Sequence, residues 1–337
     1  MINSEILKSE EYDFLRTDPH LGNRVIMLGL GGSLAYGTNV ETSDIDLRGV
    51  ALDRPEALLG FDQFEQLQVQ EPDSVIYSFR KIVKLLLSCN PNCVEMLGLK
   101  PEHYLYIDDI GRELLANRSL FLSKRAIQTF GGFADAQLRR LQNALARDRM
   151  PQEEKEKHVL NSLRNAMHFV ETEYADFDNG SIRLYTDRAV NPDLVSEVFM
   201  DVDLKHYPLR DYCDIWNALR SVVRDYNQLN KRNRKKDDAH LDKHAMHLLR
   251  LFMTGIDLLE QGEIITYREK EHDLLMDVRN GRYRTSDGLY SKEFYSILEG
   301  YETRYHEAAQ HTRLPDEPDM EKVEAFVIGI NRKALSR

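Results

Sequence analysis

Apolar positions along the chain follow two regimes. Up to about residue 120 they form short runs broken by turn-forming residues. "RVIMLGL" (24–30) is a continuous apolar run ending in glycine, the pattern of a buried strand. "GGSLAYG" follows as a tight turn opening a short helix, and "DIDLRGVAL" (44–52) alternates as a second strand. "FEQLQVQ" and "DSVIYSF" read as a further pair separated by Glu71 and Pro72, because proline cannot donate to a strand ladder. "RKIVKLLLS" has helical spacing, and "NPNCVEMLGL" begins another helix with Asn90 as cap and Pro91 at the first helical position. Residues 1–17 pattern as an amphipathic helix. From Ser123 onward the spacing is almost wholly helical: 123–147, 152–178, 212–230, 240–262, 270–280 and 291–310, with "LPDEPD" (314–319) as a turn before a last helix. No repeat or low-complexity tract interrupts this. The pattern predicts an α+β protein, a strand-bearing domain over 1–120 followed by a mostly helical domain over 121–337.

Composition narrows the class. No apolar run approaches the roughly 20 residues of a membrane span, and "MINSEILKSEEYDFLR" lacks the apolar core of a secretory leader, so a cytoplasmic protein with no membrane partner is expected. Three cysteines, Cys89, Cys93 and Cys213, make neither a disulfide framework nor a zinc ribbon; buried free thiols and no disulfide-linked partner are expected. The net charge of −11 argues against a protein-wide field for polyanions. "KRNRKK" (231–236) is the one local basic run, readable either as a solvated loop or as a contact for phosphate or nucleic acid.

The stretch "GLGGSLAYGTNVETSDIDLRGV" (29–50) carries the chemistry. A dinucleotide fingerprint requires a third glycine where Leu34 stands and an acid later than Asp44; a P-loop requires lysine where Thr38 stands. A third reading uses every part. The strand ends at Leu30, and Gly31, Gly32 and Ser33 turn the chain into a helix whose free N–H groups suit phosphate. Asp44 and Asp46 then share one face of a strand, with Ile45 and Leu47 turned to the core. Two converging carboxylates repel, so they need a cation, and hard oxygen ligands favour Mg²⁺ or Mn²⁺. A phosphate-cradling turn beside paired carboxylates is an arrangement for nucleotidyl transfer.

On Gly32, Ser33, Asp44 and Asp46 the chain resembles the DNA polymerase β-like nucleotidyltransferases. The string "GSLAYGT…SDIDLRGV", with "NPNCVEML", "GGFADAQLRRL", "KHAMHLLRL" and "LPDEPD", is similar to a narrower group, the predicted RNA-ligase-associated, RNA-repair nucleotidyltransferases. The resemblance implies a small mixed sheet flanked by helices, two divalent ions and a third carboxylate on a neighbouring strand. Asp73 is the candidate for that carboxylate, by parity with Val75 and Tyr77; Glu71, Asp53 and Asp62 are the alternatives. The resemblance implies that Asp44, Asp46 and Asp73 are the catalytic metal ligands, and that Gly32, Ser33 and Tyr36 contact the nucleotide. Arg48, on the strand face of the aspartates, serves either as their ion-pair partner or as a substrate contact.

In the helical half, His240, His244 and His247 span about 10 Å of helix axis, too far for one zinc ion to reach all three easily. Lys243, His247 and Arg250 form a cationic stripe, readable either as a contact for a triphosphate or an RNA phosphate or as a solvated basic face. Gly131 and Gly132 mark close helix packing, a kink, or room for a base; Asn90 and Glu95 are explained by capping and the helix dipole. The function so implied is metal-dependent transfer of a nucleoside monophosphate from an NTP to a hydroxyl, with an RNA 3′ end as acceptor. The alternatives are a protein or small-molecule acceptor, or a non-catalytic nucleotide-binding regulator.

Overall fold

The computed structural model describes residues 4–148, 151–157, 159–161, 163, 180–191, 194–205, 209, 212–233 and 238–337. Strands Val25–Leu30 (β1), Leu47–Ala51 (β2), Gln66–Val69 (β3), Ser74–Ser78 (β4) and Tyr104–Ile107 (β5) form one mixed sheet in the order β3-β4-β2-β1-β5. β1 runs antiparallel to β2 and β5, β3 and β4 form an antiparallel hairpin around Glu71 and Pro72, and β2 runs parallel to β4. β1 is buried along its whole length, which is why its sequence is continuously apolar rather than alternating. Pairing places Leu30 opposite Leu47, and Leu47 beside Ser74. The C-terminal end of β1 and the N-terminal ends of β2 and β4 therefore share one end of the sheet.

Helix Gly32–Tyr36 (α1) follows β1 directly, and Phe79–Leu87 (α2) follows β4, with the Ser78 hydroxyl accepting the Lys81 N–H at 3.2 Å. Pro91–Val94 (α3) starts on Asn90, whose side chain accepts the Asn92 N–H at 3.1 Å, as its sequence predicts. Further helices are Arg125–Asp148 (α4), Tyr212–Asn233 (α5), Asp238–Gln261 (α6), Lys292–His311 (α7) and Met320–Leu335 (α8). Gly131 of α4 lies under the Tyr305 ring of α7 and donates its N–H to the Tyr305 hydroxyl at 3.1 Å, so Gly131 serves helix packing, whereas Gly132 faces open space.

Several expectations are corrected. Residues 1–17 are not one helix: 3₁₀ turns Ser4–Lys8 and Glu10–Tyr12 lead into the single turn Phe14–Thr17. The Arg16 guanidinium donates to the Leu7 carbonyl at 2.6 Å, and Tyr12 and Leu15 pack into the sheet core with Leu28, Leu47, Ile76 and Leu105. Tertiary packing here overrides helical periodicity. The C-terminal half is not wholly helical either. Gly180–Arg188 (β6) and Ser196–Leu204 (β7) pair as an antiparallel ribbon, with Leu184 against Val159, Leu160, Leu163 and Val222. The expected helix over 152–178 falls partly, at 158, 162 and 164–178, outside the described residues, as do residues 234–236 of the basic run. Cys89 and Cys93 are buried, but Cys213 is exposed.

The chain separates into two compact units, Met1–Arg139 with Asp238–Arg337, and Arg140–Asp237. The expected boundary near residue 120 falls inside the first unit, which holds the sheet together with α6, α7 and α8. No helix among the described residues is long and apolar enough to cross a membrane.

Ile76 is fully buried at the centre of the sheet core. Ile76→Ala is expected to destabilise the fold by about 2–5 kcal/mol, seen as a lower urea midpoint with an unchanged far-UV spectrum before unfolding.

Candidate active site

Three sequence segments meet at one end of the sheet because the topology brings them there. The turn after β1 supplies Gly31–Ser33, the approach to β2 supplies Asp46, and the approach to β4 supplies Asp73. The Gly31 N–H donates to the Asp46 carbonyl at 2.8 Å, and the Leu47 N–H donates to the Asp73 carbonyl at 2.8 Å. Gly32 has φ +53, and a Cβ there would sit 1.6 Å from Asp46 Oδ2. Only glycine allows the turn and the carboxylate to lie this close. Ser33 is buried beside it, and Gly37 ends α1 in a left-handed conformation under the Tyr267 ring.

Asp46 and Asp73 are in side-chain contact. Burial, then the hydrogen bond with Asp73, pushes the Asp46 carboxyl up to about 6. Burial acts upward on Asp73 too, but the hydrogen bonds from Asp46 and Arg48 outweigh it and hold that carboxyl low. Two carboxyls held this close disfavour a second negative charge. Arg48 resolves into an ion-pair partner. Its Nη1 and Nη2 donate to Asp73 Oδ1 at 3.1 Å and Oδ2 at 3.3 Å, and Nη2 lies 3.9 Å from Asp46 Oδ1.

The donor set fits a hard divalent cation at Asp46 and Asp73, because two contacting carboxylates offset by one guanidinium call for further positive charge. Asp44 stands apart from them. β2 begins only at Leu47, so the strand parity expected for Asp44 does not apply; Asp44 is exposed, while Ile45 still packs on the core. No group of three metal-ligating side chains is assembled among the described residues. The alternatives to Asp73 are placed elsewhere. Asp53 is buried and accepts the Arg80 N–H at 2.9 Å, Asp62 lies 3.4 Å from His20, and Glu71 is exposed in the hairpin turn.

The α6 stripe runs from solvent into the interior. Lys243 is exposed, and its charge reaches Asp46. His247 is half-buried, its ring edge-on to Tyr36 at 6.1 Å. Arg250 is buried, and its guanidinium lies 3.7 Å over the Tyr36 ring while pairing with Glu95. The Tyr36 hydroxyl donates to Glu95 Oε2 at 2.7 Å. Burial would push Arg250 down, but Glu95 and Tyr36 hold its charge. Tyr36 and Arg250, expected at the nucleotide, are thus turned inward and joined to Glu95. Glu95 does open a helical turn, the 3₁₀ segment Glu95–Gly98 after α3, but its side chain is 3% exposed and held in an interior network that capping arguments do not foresee. The signal was present in "CVEML", where one acid is bracketed by four apolar residues.

With this geometry in view, residues 7–176 match the RNA repair pathway DNA polymerase beta family. No curated protein matches the chain, and no solved structure matches it.

Removing one partner of the buried pair leaves the other charge uncompensated. Arg250→Ala is therefore expected to cost about 3–5 kcal/mol, read by chemical denaturation, whereas Lys243→Ala on the exposed end of the same stripe is expected to leave stability within about 0.5 kcal/mol.

Proposed function

Because the chain belongs to the RNA repair pathway DNA polymerase beta family, we propose that it transfers a nucleoside monophosphate from an NTP to the 3′ hydroxyl of an RNA in need of repair. The observation that carries this reading is the contact of Asp46 and Asp73 beside the Gly32–Ser33 turn. The acceptor hydroxyl gives up its proton to solvent as its oxygen bonds to the α-phosphorus, the bond from that phosphorus to the bridging oxygen breaks, and pyrophosphate leaves. Gly32 and Ser33 hold the nucleotide's phosphates against the end of β1. Asp46 and Asp73 would hold Mg²⁺ or Mn²⁺, two ions when Asp44 joins them with the nucleotide in place. The bound cations supply charge neutralisation at the α-phosphate and a lowered pKa for the acceptor hydroxyl. Arg48 keeps Asp73 ionised and faced toward Asp46. Tyr36, held by Glu95 and Arg250, fixes α1 so that the turn keeps its position.

The test uses purified protein, each α-³²P-labelled NTP, Mg²⁺ or Mn²⁺, and tRNAs with intact and truncated 3′ ends. Label is expected on RNA, with Asp46→Asn lowering it at least roughly a hundredfold. Label on protein instead would move the acceptor to a side chain. NTP binding with no labelled product would leave a nucleotide-binding regulator, and either result overturns the RNA reading.

A further inference from the structure

The compact unit Arg140–Asp237 carries a helix face that the carboxylate centre does not use. Its helix α5 turns one side inward. Ile215 and Val222 are buried, and Val222 and Tyr226 pack with Val159, Leu160, Leu163 and Leu184. That spacing is one helical stripe, so the opposite side of α5 is left to solvent. On it stand Trp216, Arg220, Val223, Arg224 and Asn227, all exposed, at i, i+4, i+7, i+8 and i+11. Trp216 is the one tryptophan of the chain and is 57% exposed, and Val223 is 48% exposed. An aromatic side chain of this size is ordinarily covered.

The charge on this face is of one sign. Arg220 forms no ion pair among the described residues. Arg224 lies 3.6 Å from the neighbouring Asp225 with its own side chain 69% exposed, a contact that contributes little in water. By helical spacing, neither acid of α5, Asp214 or Asp225, belongs to the stripe of Trp216 and Arg220. The helix then runs into the basic sequence that begins at Lys231. In a chain of net charge −11, an acid-free side with two arginines and an uncovered indole is a local reversal of the overall field.

These groups match a strand that carries phosphates along one edge and unpaired bases along the other. An indole face stacks on any base, and a guanidinium grips a phosphate through two parallel donors. A second copy of this chain is a poor occupant, because in a two-fold pair the face meets itself and sets arginine against arginine. A duplex is a poor one too, since its bases are already stacked and leave the ring without a partner. We propose that this face of α5 holds a single-stranded stretch of the RNA acceptor, with Trp216 stacked on an unpaired base and Arg220 and Arg224 on the phosphates beside it. This rests on the RNA reading above. It gives the second unit a task of its own, gripping the acceptor strand rather than the nucleotide.

Because Trp216 is the one tryptophan, its fluorescence reports on this face alone. The full-length protein is titrated with a single-stranded RNA oligonucleotide, a blunt duplex of the same sequence and each NTP. Affinities are read in parallel from the anisotropy of the fluorescein-labelled RNAs. The single strand is expected to quench Trp216, and the duplex and the NTPs to leave it unchanged. Trp216→Ala, and Arg220→Ala combined with Arg224→Ala, are each expected to weaken the single strand roughly tenfold, and Trp216→Phe to recover part of the loss. The arginine pair is also expected to lower the slope of log affinity against log salt by about 1.4. NTP binding and the melting temperature are expected to keep their wild-type values. RNA binding without quenching, undiminished in the variants, would overturn the assignment of this face and leave RNA transfer standing. Quenching by NTP alone, or a Trp216 emission that changes with protein concentration without RNA, would assign the face to the nucleotide or to a second copy and likewise overturn it. A wild-type protein that binds neither RNA would overturn the RNA acceptor itself, and the α5 face with it.

Discussion

The buried triad of Glu95, Arg250 and Tyr36 is the constraint on which the rest of this molecule depends. Glu95 and Arg250 are 155 residues apart in the chain, and both are nearly fully buried. An ion pair so deep gains little over an apolar pair of the same shape, but neither charge can be left alone. Its effect is therefore geometric. It permits one docking of α6 on α1, since Tyr36 must lie under the guanidinium and reach Glu95 at the same time. Thr266 adds to this by donating its hydroxyl to the Glu95 carbonyl at 2.7 Å. The position of α6 beside the Gly32–Ser33 turn follows from that docking.

Sheet topology does the corresponding work at the carboxylates. Asp46 and Asp73 precede two parallel neighbouring strands, and the glycine turn follows the strand antiparallel to one of them. Three strand ends so placed converge, and the bonds from the Gly31 N–H to Asp46 and from the Leu47 N–H to Asp73 tie them together. The contact between like charges is unfavourable by itself, and it adds to burial in raising the Asp46 carboxyl. Arg48 offsets part of it. A centre that stays unfavourable until more positive charge arrives is suited to binding a cation and a nucleotide together.

The residues closest to this chemistry were legible because their signals are local. Gly32, Ser33 and Asp46 sit in one short motif, and Asp73 followed from the alternation of "DSVIYS". Asp44 was misplaced because the strand was started three residues early, at a point where alternation alone cannot say whether pairing has begun. The β6–β7 ribbon falls in the stretch between the helices expected over 152–178 and 212–230, where no element was read, although Ile182, Leu184, Val198 and Met200 do alternate. The stripe Lys243, His247, Arg250 was correct as a helix face, yet helical spacing cannot tell which end of a face is buried. That depends on Glu95, and no pattern within either segment reveals a partner so far away.

The central claim is that Asp46 and Asp73 together form the cation site that nucleotide chemistry requires. Titration with Mn²⁺, followed by electron paramagnetic resonance in the presence of a non-hydrolysable NTP, addresses it directly. Wild type is expected to bind the ion, and Asp46→Asn and Asp73→Asn are each expected to lose that binding while keeping the wild-type melting profile. Mn²⁺ binding that survives both substitutions unchanged would contradict the account.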